Sequence, residues 1–115
     1  MKVSVLRVEQ PRGGYGPYSP EYAEQLEAMF EDHGNGEHPG PGDDPQLGFI
    51  QPGEHCGFAT IDQLDEWFDG YHEALQAEGF VISKYLVPLQ LVRFGKQQVV
   101  FARGDLWPVE QMSLV

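Results

Sequence analysis

Hydrophobic spacing divides the chain into a strand, a helix, a long connection, a second helix and a closing run of strands. Residues 2–8, KVSVLRV, are apolar and β-branched and predict a first strand. Gly13, Gly14, Gly16 and Pro17 then break regular structure through residues 9–19, a loop whose Tyr15 and Tyr18 are expected to fold back onto the body. Ser19-Pro20 reads as a helix start, and Tyr22, Leu26, Met29 and Phe30 recur at i, i+4, i+7 and i+8 as one buried stripe that Gly34 ends. After a connection over 34–57, Thr60 with Gln63 three residues on has the pattern of a capping box. Ile61, Leu64, Phe68, Tyr71 and Leu75 follow at spacings of three and four, which predicts one helix over 61–78 with a weak point at Gly70 and a stop at Gly79. Residues 80–87, FVISKYLV, predict a strand. Residues 89–94 and 97–102 predict a hairpin turning at Gly95-Lys96 in a type II′ turn. The tail LWPVEQMSLV predicts a last strand that Pro108 confines to an edge.

These elements define an α+β fold, a mainly antiparallel sheet covered on one face by two helices. At 115 residues one domain is expected, and fourteen aromatic residues supply a core that a disordered acidic tail would lack. The connection at 34–57 holds seven of the fourteen glycines and four of the nine prolines. So long a loop inside a compact domain is uncommon and marks a functional or mobile segment. Leu47, Phe49 and Ile50 are its anchors to the core, as a short strand.

Charge changes the picture most. Between Glu21 and Glu78 stand fifteen carboxylates and no lysine or arginine, within a net charge of -11. Asp62, Asp65, Glu66, Asp69 and Glu73 fall at i, i+3, i+4, i+7 and i+11, an acidic stripe opposite the apolar one on the second helix. Glu24, Glu27 and Glu31 share a face of the first helix, and Asp43 and Asp44 lie in the loop. Like charges at these spacings weaken a helix, so their accumulation points to a negative surface facing a basic partner. Helical rise separates successive acids by about 4.5–6 Å. Duplex DNA carries a phosphate about every 3.4 Å along each strand, so mimicry of nucleic acid is of the right order. Direct contact with nucleic acid or with an anionic membrane is disfavoured. With no apolar leader and no run of eighteen apolar residues, the expected location is the cytoplasm of a host cell.

Other chemistries are weaker. His33, His38, His55, His72 and Cys56 lie in the acidic segment without a zinc-motif spacing, and GPGDDPQLG lacks the alternation of a calcium loop. No metal or cofactor is expected. Cys56 rules out an internal disulfide, and as the neighbour of His55 it does not form a dyad, because adjacent side chains diverge. Phe68 and Tyr71 read as core, while Trp67 lies off the main stripe, at the core edge or in an interface.

LRVEQ, GPY at 16–18, HPGPGDD at 38–44, CGFATIDQLDEWF at 56–68, GFVISKYLVP at 79–88 and QQVVF at 97–101 together resemble small proteins of tailed phages and prophages. That resemblance implies a phage accessory gene, and small acidic phage proteins include anti-CRISPR inhibitors that act as DNA mimics. The order of a first strand bearing Arg7, a tyrosine loop, CGFAT and QQVVF is also similar to compact ADP-ribosyltransferase-like domains. Those domains use a first-strand Arg or His, mid-chain aromatic or Ser/Thr residues and a late Glu. Arg7 and Thr60 stand at the first two positions, and Gln97 or Gln98 replaces the carboxylate.

The leading expectation is a non-enzymatic inhibitor that binds a basic, nucleic-acid-binding host protein or defence complex, alone or as a homodimer. Its contact residues are Asp62, Asp65, Glu66, Asp69 and Glu73, then Glu24, Glu27 and Glu31, then Asp43 and Asp44. An NAD-using ADP-ribosyltransferase-like enzyme and a self-assembling phage component are the alternatives.

Overall fold

A computed structural model of the chain describes residues 1–11, 14–33 and 44–115. The elements are β1 (Lys2–Glu9), α1 (Glu27–Asp32), β2 (Glu54–Gly57), α2 (Ile61–Trp67), α3 (His72–Ala77), β3 (Val81–Pro88), β4 (Val92–Phe94), β5 (Val99–Ala102) and β6 (Glu110–Met112). The fold is α+β, with two antiparallel three-stranded sheets ordered β1-β3-β6 and β2-β5-β4. The expected single sheet is thus divided in two. Its halves meet where Leu6 and Phe58 exchange backbone hydrogen bonds of 2.8 and 2.7 Å. Gly57 makes that approach possible, because a Cβ there would lie 2.7 Å from Val5 Cγ1 and 2.8 Å from the Leu6 carbonyl oxygen.

The division explains the near-continuous apolar character of β1 and β3. Alternate side chains of a strand point to opposite faces, and here both faces are covered. Leu6, Val8 and Ile82 pack with Met29, Leu64, Phe68 and Leu75 of the helical layer. Val5, Tyr85 and Val87 pack instead with Val92, Val99 and Phe101 of the other sheet. The last strand, β6, sits at a sheet edge after Pro108, as its sequence predicts.

The helices are shorter than their periodicity predicts. Pro20–Tyr22 forms only a 3-10 turn, Ser19 makes no side-chain cap, and α1 begins at Glu27. The helix predicted over 61–78 is two helices. Gly70 has φ of 86°, a left-handed conformation that ends one helix and redirects the chain into the next. Both halves keep their apolar anchors, Leu64 and Leu75, which is why the spacing runs through the break. The cap is as predicted, with the Gln63 amide donating to Thr60 Oγ1 at 3.1 Å.

The hairpin also differs from its prediction. Phe94 pairs with Val99, leaving four connecting residues rather than a two-residue type II′ turn. Asp44 fixes that connection by accepting from the Lys96 amide at 2.7 Å. In the long connection, strand structure forms at β2 and not at 47–50. Leu47 is buried, whereas Phe49 is 76% exposed. Among the described residues no helix is long and apolar enough to cross a membrane.

Candidate functional site

The seam between the sheets opens into a cavity of about 320 Å³. Arg7 and Val8 of β1 and Glu54, His55 and Cys56 of β2 line it, together with Gln98, which immediately precedes β5. The loop before α1 supplies Tyr18 and Ser19, and the helical layer supplies Trp67 and Phe68. The walls are therefore largely apolar, with a few polar groups from β1, β2 and the segment before β5. Such concave, mostly apolar surfaces with converging polar groups are the usual form of small-molecule sites.

Tyr18 is built into the wall by its hydroxyl, which accepts from Trp67 Nε1 at 2.8 Å and pairs with Nδ1 of His33. Burial of that hydroxyl raises its pKa well above the usual tyrosine value. Trp67 is buried rather than placed in an exposed interface, its ring tilted against Phe58 and His33. Burial likewise pushes the Cys56 thiol up, so it is a neutral group near pH 7 and not an activated nucleophile.

A charged network lies behind the cavity. Arg7 Nε pairs with Glu9 Oε1 at 3.0 Å, and its Nη1 donates to the Cys56 carbonyl at 2.8 Å. Glu9 is 1% exposed and also accepts from the Tyr85 hydroxyl at 2.5 Å. Arg103 Nε donates to that hydroxyl at 3.1 Å, and its guanidinium stands 5.5 Å from the centre of the Tyr85 ring. Burial first, and then the Glu9 contact, push the Tyr85 pKa up to about 12. Burial and the charges of Arg7 and Arg103 lower that of His55, which is neutral at pH 7.

The acids expected to form a contact surface are distributed unevenly. Asp62, Asp65, Glu66, Asp69 and Glu73 are exposed, as are Glu24, Glu27 and Glu31. The break at Gly70 puts Glu73 on a different helix from Asp62, Asp65 and Glu66, so they do not form one continuous helical stripe. Asp65 Oδ1 also lies 2.9 Å from His72 Nε2. Asp44 does not belong to the surface. It is 6% exposed, accepts from the Gln46 amide at 2.8 Å and the Lys96 amide at 2.7 Å, and ties the loop to the β4–β5 connection. Asp43 and His38 lie outside the described residues. Among the described residues no cluster of three or more His, Cys, Asp or Glu is placed to hold a metal ion.

Of the residues singled out on enzymatic grounds, Arg7 and Gln98 reach the cavity and Thr60 does not, being committed to capping α2. Sequence reading missed His55 and Trp67 as cavity residues and Arg103 as part of the network behind it. Tyr18 carried a weak signal, a tyrosine held next to Gly16-Pro17 after a strand.

The chain is thus a small two-sheet α+β protein with a cavity at the junction of its sheets. Over residues 1–115 it matches the model of the Bacteriophage T4 Y00F protein family, and it belongs to that family. No curated protein and no solved structure matches it. The expected phage kinship thus holds at the level of the family.

Proposed function

We propose that this phage-family protein binds a nucleotide of NAD type in the cavity between its sheets, with an ADP-ribosyltransferase-like arrangement of residues. The observation that carries this is the convergence of Arg7 of β1, Tyr18 of the loop that follows it and the distant Gln98 on one cavity. Arg7 places a guanidinium, paired with Glu9, on the cavity wall, Tyr18, Trp67 and Phe68 supply flat apolar surface for a heteroaromatic ring, and Gln98 supplies an amide at the entrance to β5. At about 320 Å³ the cavity is at the small end of ligand sites, about 300–1,000 Å³. It suits the ring-and-sugar half of a dinucleotide rather than the whole molecule.

Binding, not transfer, is the function proposed. Cleaving the nicotinamide–ribose bond develops positive charge on the sugar, which a free carboxylate would stabilise. The carboxylate lining the cavity, Glu54, is already held by Arg93 Nε at 2.9 Å and Nη2 at 2.8 Å. Titration calorimetry with NAD tests the proposal. Saturable binding that Tyr18→Ala and Gln98→Ala each weaken at least tenfold is expected. Absence of binding to the folded chain would sink it.

A second reading is supported by the exposure of eight acids on the helices, the segment before α1 and the α2–α3 connection. They form a negative surface for a basic host protein, as an anti-CRISPR-like DNA mimic would present. Asp65→Lys, Glu66→Lys and Asp69→Lys together should abolish capture of such a partner while leaving the melting cooperative. Capture should also weaken steeply with salt. Capture that survived both would refute a charge-driven contact.

A further inference from the structure

We infer that Arg103, under the loop at Gly14, is the phosphate-binding element of this protein, taking the phosphate of a nucleotide whose ring enters the cavity; this rests on the nucleotide reading above. Charge balance comes first. The chain has seven basic residues against eighteen acidic ones, yet Arg7 and Arg103 are both drawn into one network with Glu9 as their shared carboxylate. Glu9 pairs with Arg7 directly and reaches Arg103 only through the Tyr85 hydroxyl. The cluster therefore keeps an excess positive charge in a protein that is otherwise strongly negative.

Donor geometry comes second. Arg7 is spoken for, with Nε on Glu9, Nη1 on the Cys56 carbonyl and Nη2 on the Gly14 carbonyl. Arg103 uses Nε on Tyr85, with its guanidinium carbon 5.5 Å from that ring's centre, while its two terminal nitrogens donate to no acceptor among the described residues. A guanidinium offers paired donors that match a phosphate. Holding one by Nε and the ring face presents the terminal pair in a fixed direction.

The loop above completes the site. A Cβ at Gly14 would lie 2.9 Å from Arg103 Nη1, and one at Gly16 would lie 2.9 Å from Arg7 Nη2. Glycines at these two positions let the backbone lie directly on both guanidinium groups. Pro17, Tyr18 and Ser19 then carry the same loop to the cavity wall. Arg103 itself lies outside the cavity lining, so a ligand with its ring against Tyr18 would have to extend its phosphate along this loop to reach it. His55, neutral for the causes given above, does not add a competing charge.

The test compares nicotinamide mononucleotide with nicotinamide riboside, which differ by one phosphate, using titration calorimetry on the full chain. The wild type should bind the mononucleotide ten- to hundredfold more tightly, the range for a charge-assisted contact. Arg103→Gln should erase that difference without weakening the riboside. Arg103→Lys retains the charge against the Tyr85 ring and should keep part of the difference, which separates lost phosphate contact from lost folding. Equal affinities in the wild type, or a difference that survives in Arg103→Gln, overturns the inference. If neither nucleotide binds, inorganic pyrophosphate decides. Binding that Arg103→Gln abolishes keeps the anion site and discards the nucleotide reading, and no binding discards both.

Discussion

Replacing Tyr85 by phenylalanine removes one oxygen from the centre of the molecule and tests whether the network behind the cavity holds the two sheets together. The ring itself is 0% exposed and packs on Phe101, with centroids 5.4 Å apart, so the substitution changes little in volume or shape. What is lost is a donor to Glu9 and an acceptor for Arg103 Nε. Hydrogen bonds to charged groups contribute about 1.5–3 kcal/mol each. Glu9 is buried and keeps Arg7, whereas Arg103 is partly exposed and can recover some solvation, so the first loss outweighs the second. The expected destabilisation is about 2–4 kcal/mol. For a chain of this length it corresponds to a fall in Tm of roughly 8–16 °C.

Urea unfolding at pH 7 reads the free energy, and the same titration at alkaline pH supplies a signature specific to the hydroxyl. Its folded pKa is raised to about 12 from the usual 10. The stabilisation is thus complete below pH 10 and lost as pH rises toward 12. Tyr85→Phe should lack that part of the alkaline loss. A variant within about 0.5 kcal/mol of wild type, the scatter of neutral surface substitutions, would refute the claim that the network stabilises the sheet junction.

Two further outcomes are expected. Asp44→Ala should cost about 2–3 kcal/mol through loss of a buried carboxylate acceptor for two backbone amides, and limited proteolysis should then cut between residues 44 and 50. Because the folded state lowers the His55 pKa, the unfolded chain takes up the proton first, so stability should fall as pH drops below about 6.5. His55→Gln should flatten that slope in urea titrations between pH 7 and 5. Arg93 lowers the Glu54 pKa below the ordinary 4.5, so its stabilisation is lost only as pH falls below that value and leaves the His55 window clear.

The sequence by itself determined most of the strands, with β2 the exception, and the main buried helical positions. The apolar, β-branched run KVSVLRV, the stripe through Leu64 and Leu75, the Thr60 cap and the edge proline before β6 are local signals, and local sterics and periodicity carry them. It also fixed the uneven distribution of charge, since no fold can supply cations to a segment that has none. Tertiary structure decided the rest. Helical spacing cannot register that Gly70 adopts a left-handed φ, because Leu64 before the break and Leu75 after it face the same core. Apolar runs in β1 and β3 cannot tell one thick core from two, and only the packing of one face on the helices and the other on the second sheet separates them. Asp44, grouped with the surface acids by composition, is buried because the nearby Gln46 amide and the distant Lys96 amide converge on it. The cavity needed the same kind of convergence, with Arg7, Tyr18, Trp67 and Gln98 brought together over as many as 91 positions (98 − 7). Such separations leave no local pattern, because pairing across sheets and packing of the loop on the helices set them.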